Sequence, residues 1–377
     1  MRKLAVIAKI QNIEAIKGKD RIEKATVENY SVIVGKGEYQ QGDLCVYCFY
    51  DTILPIKPEF EFLRDRCYSA LYDGFRIRNM RMAGIYSSGI IFPLSILPKN
   101  CVIKEGKEVT KILEIRKYDP EELRERQKIN CTQTQYSAWQ LWLLHHCKWY
   151  RQFKFGKKVK KISYPATVQK SDEPNIQAIF EKYKNSSIKN IKFYKTEKMD
   201  GQAVAYMMQG KGRKRKFYVF SHNVYQGNEK TSTGVWGRVA RKLQIENLLR
   251  SLPINYCIQG EICGRGTQIN IYGFDELRFF VYKITEVDTG KQLNYDELIF
   301  FCKMHHLETV PVLEIAPFPD TLEECLLDAD GYSRFKNKTK KVKREGVVWR
   351  SIIDQHISFK AKSRKYSIWF EEHTKTK

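Results

Sequence analysis

The chain of 377 residues carries 66 Lys and Arg against 43 Asp and Glu, a formal net charge of +23, and 42% of its residues are hydrophobic. This apolar content excludes a wholly disordered chain, and the lack of any run of 18 apolar residues predicts that no helix spans a membrane. The excess of positive charge favours a polyanionic partner, most simply nucleic acid or a nucleotide. Since the apolar run Leu4–Ala8 is shorter than the core of a signal peptide, we expect a cytoplasmic protein whose cysteines are reduced.

Residues 1–115 predict an all-β domain. Alternation places Leu4, Val6, Ala8 and Ile10 on one strand face, and the segments 25–34 and 43–50 are rich in Val, Tyr and Cys between glycine turns. Such short strands are typical of a small barrel or sandwich. The Cys45-Val46-Tyr47-Cys48 pattern lies on one of them, and strand residues three apart face opposite sides, so we expect no shared metal there.

Residues 116–377 predict a second domain that mixes helices and strands. A helix is expected to begin at Ser171–Pro174, with Ile176, Ile179, Phe180 and Tyr183 as its apolar stripe. Strands are expected at 217–220, 256–262, 277–284, 346–351 and 356–362. The pattern favours an α+β fold with antiparallel sheets. No glycine-rich phosphate loop of the GxxxxGK or GxGxxG kind is present, so a nucleotide would be bound by another design.

An ordered series of short motifs follows in this second domain. Lys198-Met199-Asp200-Gly201 comes directly after a β-like stretch at 191–194. A lone Lys-x-Asp-Gly is a weak signal, but further segments accompany it in order: Ser221-His222-Asn223, Gln259-Gly260-Glu261, 279–284, 344–350 and 358–362.

This series resembles the six motifs of the covalent nucleotidyltransferases, which include ATP-dependent ligases and mRNA capping enzymes. It is most similar to the RNA ligases that carry an OB-type domain ahead of the nucleotidyltransferase domain, and the segments 18–23 and 42–47 resemble that leading domain. The resemblance implies an α+β protein with an OB-like β-barrel in residues 1–115. A ligase/capping-type nucleotidyltransferase domain of antiparallel sheets and helices would follow in residues 116–377.

The resemblance makes Lys198 the nucleophile that attacks the α-phosphate of ATP and forms lysyl-AMP. An amine attacks only when neutral, and lowering a lysine pKa from about 10.4 by about three units needs roughly 4 kcal/mol of differential interaction. A cationic neighbourhood of Lys360, Lys362 and a bound metal is expected to supply it. Residues two apart on a strand share a face, so both lysines would also neutralise the α-phosphate and departing pyrophosphate. On their own, two such lysines would predict only a solvated sheet face.

Three carboxylates complete the expected catalytic group. Glu261 and Glu345 each adjoin a glycine beside a strand, where a carboxylate suits ribose hydroxyls or a hard cation that keeps most of its waters. The resemblance implies that Glu345 and Asp200 hold water of a catalytic Mg²⁺ or Mn²⁺, and that Glu261 contacts ribose or a metal.

Further residues are expected to bind the nucleotide and the RNA. Tyr282 would stack on adenine, while Glu197 and Gly201 would complete the nucleotide site. Ser221, His222 and Asn223 would contact RNA or phosphate. The family has Ser-Arg-Asn at these three positions, so the charge of His222 near neutral pH decides whether it can replace the arginine.

The implied reaction joins a 3′-hydroxyl and a 5′-phosphate end of RNA, possibly in a nicked duplex. The enzyme is expected to be a monomer that acts in RNA repair, and a viral source is possible. DNA ligases and capping enzymes share the motifs but generally carry another OB domain after the last lysine motif, whereas 15 residues follow Lys362 here. An alternative of another class is an RNA-binding relative without catalysis, against which the presence of Lys198, Glu261 and Glu345 argues.

Overall fold

The computed structural model describes residues 3–118, 137–147, 150, 162–169, 172–221, 224–232, 234–267 and 270–374. The chain divides into two compact units, Met1–Lys160 and Lys161–Lys377. The described α-helices are Arg64–Cys67, Ala138–His146, Ile176–Lys184, Val235–Lys242, Ile245–Ser251, Tyr295–Met304, Leu322–Ala329 and Arg364–Thr374, and 3₁₀ turns lie at Pro58–Leu63, Leu94–Ile96, Ser187–Asn190 and Gly212–Lys214. Among them, no helix has the length and apolar character needed to cross a bilayer.

The first unit is built from short strands, as its alternating sequence predicts. They are β1 (Ala5–Ala15), β2 (Ile22–Val27), β3 (Tyr30–Gly35), β4 (Leu44–Cys48), β5 (Thr52–Leu54), β6 (Tyr68–Ser69), β7 (Gly74–Ile77), β8 (Asn79–Met82), β9 (Ile85–Ser88), β10 (Ile90–Phe92) and β11 (Arg116–Lys117). They form a five-stranded sheet in the order β10-β4-β1-β2-β3, a four-stranded sheet in the order β11-β5-β7-β6, and the hairpin β8-β9.

The first part of the central strand β1, residues 5–8 and Ile10, is buried, and its side chains enter two different cores. Val6, Ala8 and Ile10 lie in one apolar core, as the alternation predicts, while Ile7 lies in another. The prediction was wrong for Leu4, which packs in the same core as Ile7. The reason is that β1 begins at Ala5, so the alternation does not extend back to residue 4.

Cys45 and Cys48 lie on β4 and point into different cores, which confirms that they face opposite sides of the strand. Burial raises the pKa of Cys45 to about 12, and a protonated thiol is a poor metal ligand. The nine cysteines that the structure describes are all free thiols.

The second unit contains two larger sheets and a two-stranded ribbon. Its strands are β12 (Lys192–Lys198), β13 (Gln202–Gln209), β14 (Lys216–Ser221), β15 (Val224–Gly227), β16 (Tyr256–Cys263), β17 (Arg278–Glu286), β18 (Glu308–Thr309), β19 (Val312–Pro317), β20 (Tyr332–Asn337), β21 (Lys340–Lys343), β22 (Gly346–Ser351) and β23 (Ser358–Lys362). The sheet orders are β19-β12-β22-β23, β15-β14-β13-β16-β17-β18 and β20-β21. Every predicted strand of this region is present, and the large sheets are antiparallel except for the pair β17–β18.

The four-stranded sheet is apolar on one face only. Phe193, Trp349 and Phe359 point to the side covered by the helices Ile176–Lys184 and Leu322–Ala329. The first of these helices begins after Pro174, slightly later than predicted, because Asn175 is still extended. Neighbouring residues on the strands point to the opposite face, which carries the polar side chains described next.

Candidate active site

Strand register brings together three of the predicted catalytic segments. Lys198 on β12 pairs with Gly346 on β22, and Gly346 pairs with Lys362 on β23. Lys360 pairs with Val348, which lies two residues after Gly346. Directly paired strand residues share a face, so the structure places Lys198, Lys360 and Lys362 on the same polar face of the sheet.

Lys198 forms an ion pair at the end of β12. Its Nζ lies 2.5 Å from Oε2 of Glu345, and the two side chains are 25% and 19% exposed. Glu345 directly precedes β22. The register that pairs Lys198 with Gly346 therefore also positions this carboxylate beside the amine.

In the metal-free structure, carboxylates dominate the electrostatics around Lys198. Burial favours the neutral amine, but the carboxylates of Glu345, Glu261 and Asp200 outweigh it and raise the pKa of Lys198 above its ordinary value. Opposite charge at short range stabilises the protonated form. The metal-free site therefore favours the protonated amine, and it does so through the three carboxylates that were expected to hold a metal.

Two of these carboxylates hold protons more tightly than usual. Burial and the charge of Glu345 raise the pKa of Asp200 to about 7. Burial raises the pKa of Glu261 to about 8, against the opposing effect of Lys198. Asp200 is fixed in place because Tyr366 donates a hydrogen bond to its Oδ2 and its own N–H donates to the Tyr272 hydroxyl at 2.9 Å.

The chemistry of these donors fits a hydrated divalent cation. Carboxylate oxygens are hard ligands of the kind that Mg²⁺ prefers, and Mg²⁺ usually keeps several of its waters. In the part of the chain that the structure describes, no three His, Cys, Asp or Glu side chains are close enough to hold one ion directly. Asp200, Glu261 and Glu345 offer such oxygens beside Lys198, and their role in holding metal-bound water stays a prediction.

Lys360 is anchored to a segment that precedes the domain's first strand. Its Nζ lies 3.0 Å from Oδ1 of Asp172, and its N–H donates to the carbonyl of Pro174 at 2.8 Å. Burial lowers the pKa of Lys360, with Asp172 opposing that effect. Lys360 therefore has the lowered pKa that was predicted for Lys198.

A buried charge cluster beside this anchor was missed by sequence reasoning. Oε1 of Glu173 lies 2.8 Å from Nη2 of Arg350 and 3.9 Å from Nζ of Lys283, and all three side chains are at least nine-tenths buried. Burial opposes ionisation of Glu173, but Arg350 and Lys283 lower its pKa to about 2. The cluster ties the segment before the helix Ile176–Lys184 to both large sheets.

The six-stranded sheet contributes Glu261 on β16 and Tyr282 on β17. The half-buried Tyr282 ring lies 5.5 Å from the Arg350 guanidinium. At Gly201 a Cβ atom would lie 2.3 Å from the Ile262 carbonyl oxygen and 3.0 Å from Cγ of Glu261. This close approach explains the glycine after Asp200, because any side chain would push β16 and its glutamate away.

Glu197 lies on the opposite side of β12 from Lys198, since adjacent strand residues alternate. Its side chain is 1% exposed, and Oε2 accepts a 2.9 Å hydrogen bond from the Arg334 N–H. Oε1 is buried without a hydrogen-bond partner among the described residues. Burial raises the pKa of this carboxyl.

The predicted RNA-contact motif is only partly described. Ser221 ends β14 and is buried, and its Oγ accepts a hydrogen bond from Gln226 at 2.6 Å. His222 and Asn223 lie outside the described residues.

A cavity of about 590 Å³ lies elsewhere in this unit, lined by residues that include Arg238, Lys242 and Arg265. None of the predicted catalytic or nucleotide-binding residues lines it, so it is distinct from the polar face that carries Lys198.

Two models of known protein families match different parts of the chain. Residues 4–94 match the family model of an OB-fold domain, and residues 191–365 match the RNA ligase family model. The second unit therefore contains a domain that is similar to the RNA ligase family. The ligase-domain match spans Lys198, Glu261, Glu345, Lys360 and Lys362, and the predicted fold class, an OB-like barrel followed by an α+β ligase domain, is confirmed.

Solved structures of one RNA ligase are similar to this chain over its full length. A Naegleria gruberi RNA ligase with PPi matches with a TM-score of 0.78 and 26% identity, covering 100% of each chain. A mutant of that ligase with ATP and Mn matches equally well at 26% identity, and another with AMP and Mn at 25%, each covering 99% of both chains. A sequence search of curated proteins gave no match.

Proposed function

We propose that this protein is an RNA ligase that joins 3′-hydroxyl and 5′-phosphate RNA ends through a lysyl-AMP intermediate on Lys198, using ATP and Mg²⁺ or Mn²⁺, in RNA repair. The observation that carries the proposal is the shared polar face on which Lys198 meets Glu345 at 2.5 Å and aligns with Lys360 and Lys362. The relatives solved with ATP, AMP, PPi and Mn support the choice of nucleotide and metal.

In the first step the neutral Lys198 amine attacks the α-phosphorus, the new N–P bond forms, and the bond to the β-phosphate oxygen breaks to release pyrophosphate. The amine must first lose a proton, and Oε2 of Glu345 at 2.5 Å is the nearest described acceptor. A divalent cation held in water among Asp200, Glu261 and Glu345 would cancel their negative charge and so lower the pKa of Lys198.

In this scheme, Lys360 and Lys362 provide positive charge beside the phosphates of the nucleotide. Both cations lie on the same sheet face as the nucleophile, where they stabilise the negative charge that accumulates on the transferred phosphoryl group and on pyrophosphate. Since Lys360 is held by Asp172 and Pro174, its position is fixed before the nucleotide binds.

The nucleoside is bound by residues of the six-stranded sheet. Tyr282 stacks on adenine, and Glu261 contacts ribose or metal-bound water, whereas the buried Glu197 lies on the opposite side of β12 and is not assigned a contact to the nucleotide. Gly201 supports this site by allowing β16 to approach the nucleophile strand.

The later steps act on RNA. The 5′-phosphate oxygen attacks the phosphorus of lysyl-AMP, which breaks the N–P bond and forms RNA-adenylate, and the 3′-hydroxyl then displaces AMP. In this proposal the segment Ser221-His222-Asn223 contacts the RNA end.

The test is covalent labelling of the intact protein with α-³²P-ATP and Mn²⁺ or Mg²⁺. Wild type should acquire an acid-labile, phosphoramidate-linked label, Lys198→Ala should acquire none, and Lys192→Ala on the exposed end of the same strand should label normally. Addition of a 5′-phosphorylated nicked RNA duplex should then release the label as AMP and yield joined RNA.

Each alternative has its own outcome in this assay. Label from α-³²P-GTP with ATP inert would identify a guanylyltransferase, and sealing of nicked DNA but not RNA would identify a DNA ligase. Binding of RNA without label from either nucleotide would identify an inert relative.

A further inference from the structure

The ribbon β20–β21 carries a dense set of exposed cations directly before the catalytic glutamate. Between residues 331 and 344 there are seven basic residues and no acidic one. We call five of them the ribbon lysines, namely Lys336, Lys338, Lys340, Lys341 and Lys343, of which the first four are exposed and the last is half-buried. Among the residues that the structure describes, none of the five has a carboxylate within ion-pair distance.

The pairing of the ribbon is unfavourable in the free protein. Lys336 lies directly opposite Lys341 across the two strands, and Asn337 lies opposite Lys340. Like charges placed directly across a strand pair destabilise it. An anion bound along the ribbon would remove this repulsion, so the arrangement is suited to a polyanion.

The other side of the ribbon is packed against the ligase domain. Phe335 contacts Phe274 and Phe280 with ring centroids 5.1 and 5.3 Å apart, and Val342 lies in the core that also holds Met199. The ribbon lysines are therefore attached to a rigid core rather than to a free loop, and that core includes the neighbour of Lys198.

The base of the ribbon connects directly to the catalytic face. The Arg344 N–H donates to the Gly331 carbonyl at 3.2 Å, and the Arg344 side chain donates to the Asp328 carbonyl at 2.8 Å. Glu345, the ion-pair partner of Lys198, is the next residue.

We propose that the ribbon lysines bind the phosphodiester backbone of the RNA substrate beside the break. This inference rests on the proposed function and names the surface that holds the RNA. Lysine heads recognise phosphate without reading base sequence, so binding through the ribbon is expected to be independent of sequence and strongly salt-dependent. Tyr332, 55% exposed and with its ring 5.5 Å from Nζ of Lys341, offers an aromatic surface on the same ribbon.

The test uses the full chain with Lys336, Lys340 and Lys341 changed to Ala. The matched control changes Lys182, Lys189 and Lys192, which are exposed lysines of the same unit, so that net charge falls equally. Affinity for a nicked RNA duplex with a 3′-hydroxyl and a 5′-phosphate is measured over a range of KCl, and self-labelling with α-³²P-ATP is measured in parallel.

The ribbon variant should bind RNA at least about tenfold more weakly near 0.1 M salt, and its log–log salt slope should be smaller by about 2 to 3, while the control keeps the wild-type slope. Both variants should label themselves normally with ATP. Equal RNA affinity and slope in the ribbon variant and wild type would overturn the inference, as would an equal loss in the control. Failure of wild type to label itself would overturn the proposed function instead.

A second variant separates charge from folding. Lys336→Glu places a carboxylate opposite Lys341, which should raise the melting temperature of the free protein by about 1–3 °C and still weaken RNA binding. A variant that is more stable yet binds RNA as tightly as wild type would refute the role. Ribbon-dependent binding to phosphatidylserine vesicles with unchanged RNA binding would instead assign the ribbon to a membrane surface.

Discussion

The hydroxyl of Tyr366 donates a hydrogen bond to the carboxylate of Asp200. Tyr366 lies in the helix Arg364–Thr374 directly after β23, so the last helix of the described chain reaches the turn that follows the nucleophile. This hydrogen bond lowers the pKa of Asp200, against burial and the charge of Glu345, which raise it.

Tyr366→Phe should therefore shift the acid limb of the self-labelling rate toward alkaline pH by about 0.5–1 pH unit, because Asp200 loses a donor that favours its ionised form. The measurement is the single-turnover labelling rate over a pH series at fixed Mn²⁺. Tyr183→Phe, on the helix Ile176–Lys184, should keep the wild-type profile. A uniform drop in rate with an unmoved profile would contradict the assigned role.

Stability of the metal-free protein should fall as pH rises from about 5 to about 8. The pKa values of Asp200 and Glu261 are about 7 and about 8 in the folded protein, above the usual values near 4. The folded state thus binds more protons than the unfolded state in this window, and linkage lowers the free energy of unfolding with rising pH. Chemical denaturation at several pH values in EDTA measures the trend.

Glu261→Gln supplies the control for that trend. The neutral amide removes one titrating group, so the variant should be more stable than wild type near pH 8 and the difference should vanish toward pH 5. Glu181 is exposed, so the free energy of unfolding of Glu181→Gln should vary with pH as it does in wild type. Parallel curves for Glu261→Gln as well would show that this carboxyl is already ionised across the window.

Lys360→Gln should slow self-labelling by about 10²–10³-fold, because one preorganised charge opposite the transferred phosphoryl group is lost. Stability should change little or rise, since burial of this ammonium is costly and lowers its pKa. Lys192→Gln, exposed on β12, is the matched control. Equal labelling rates in the two variants would exclude a catalytic role for Lys360.

Glu173→Gln should lower the free energy of unfolding by about 3–5 kcal/mol, because Arg350 and Lys283 would remain buried without their counter-charge. Urea denaturation at neutral pH measures the loss. The double variant Glu173→Gln, Arg350→Met should recover part of it by removing one orphaned cation. A double variant as unstable as the sum of both single changes would show that the cluster is not coupled.

Gly201→Ala should impair both folding and labelling, because the new methyl group would meet the Ile262 carbonyl at 2.3 Å. Gly18→Ala tests conformation alone, since Gly18 has φ +72° but nothing within 4 Å of the added carbon, and it should cost only about 1 kcal/mol. Thermal melts and labelling of both variants make the comparison. Equal behaviour would mean that β16 can move to accommodate the methyl group.

The sequence predicted the strands of the ligase domain because their apolar runs are continuous, and β22 begins and ends at the predicted residues. Two-residue spacing also placed Lys360 and Lys362 on one face. The surroundings of these groups were not predictable, since the partners are remote in the chain. Tyr366 is 166 residues from Asp200, and Arg350 is 177 residues from Glu173. No local pattern encodes such contacts, so the carboxylate-dominated setting of Lys198 emerged only from the fold.

The pairing of β12 with β22 also determines when, during synthesis of the chain, Lys198 can first react with a nucleotide. Lys198 and Glu345 are separated by 147 residues, so a ribosome must deliver nearly the entire ligase domain before the amine and its carboxylate meet. Nascent chains that are stalled before β22 should acquire no label from α-³²P-ATP. In longer nascent chains, the appearance of label would report that β12 and β22 have paired.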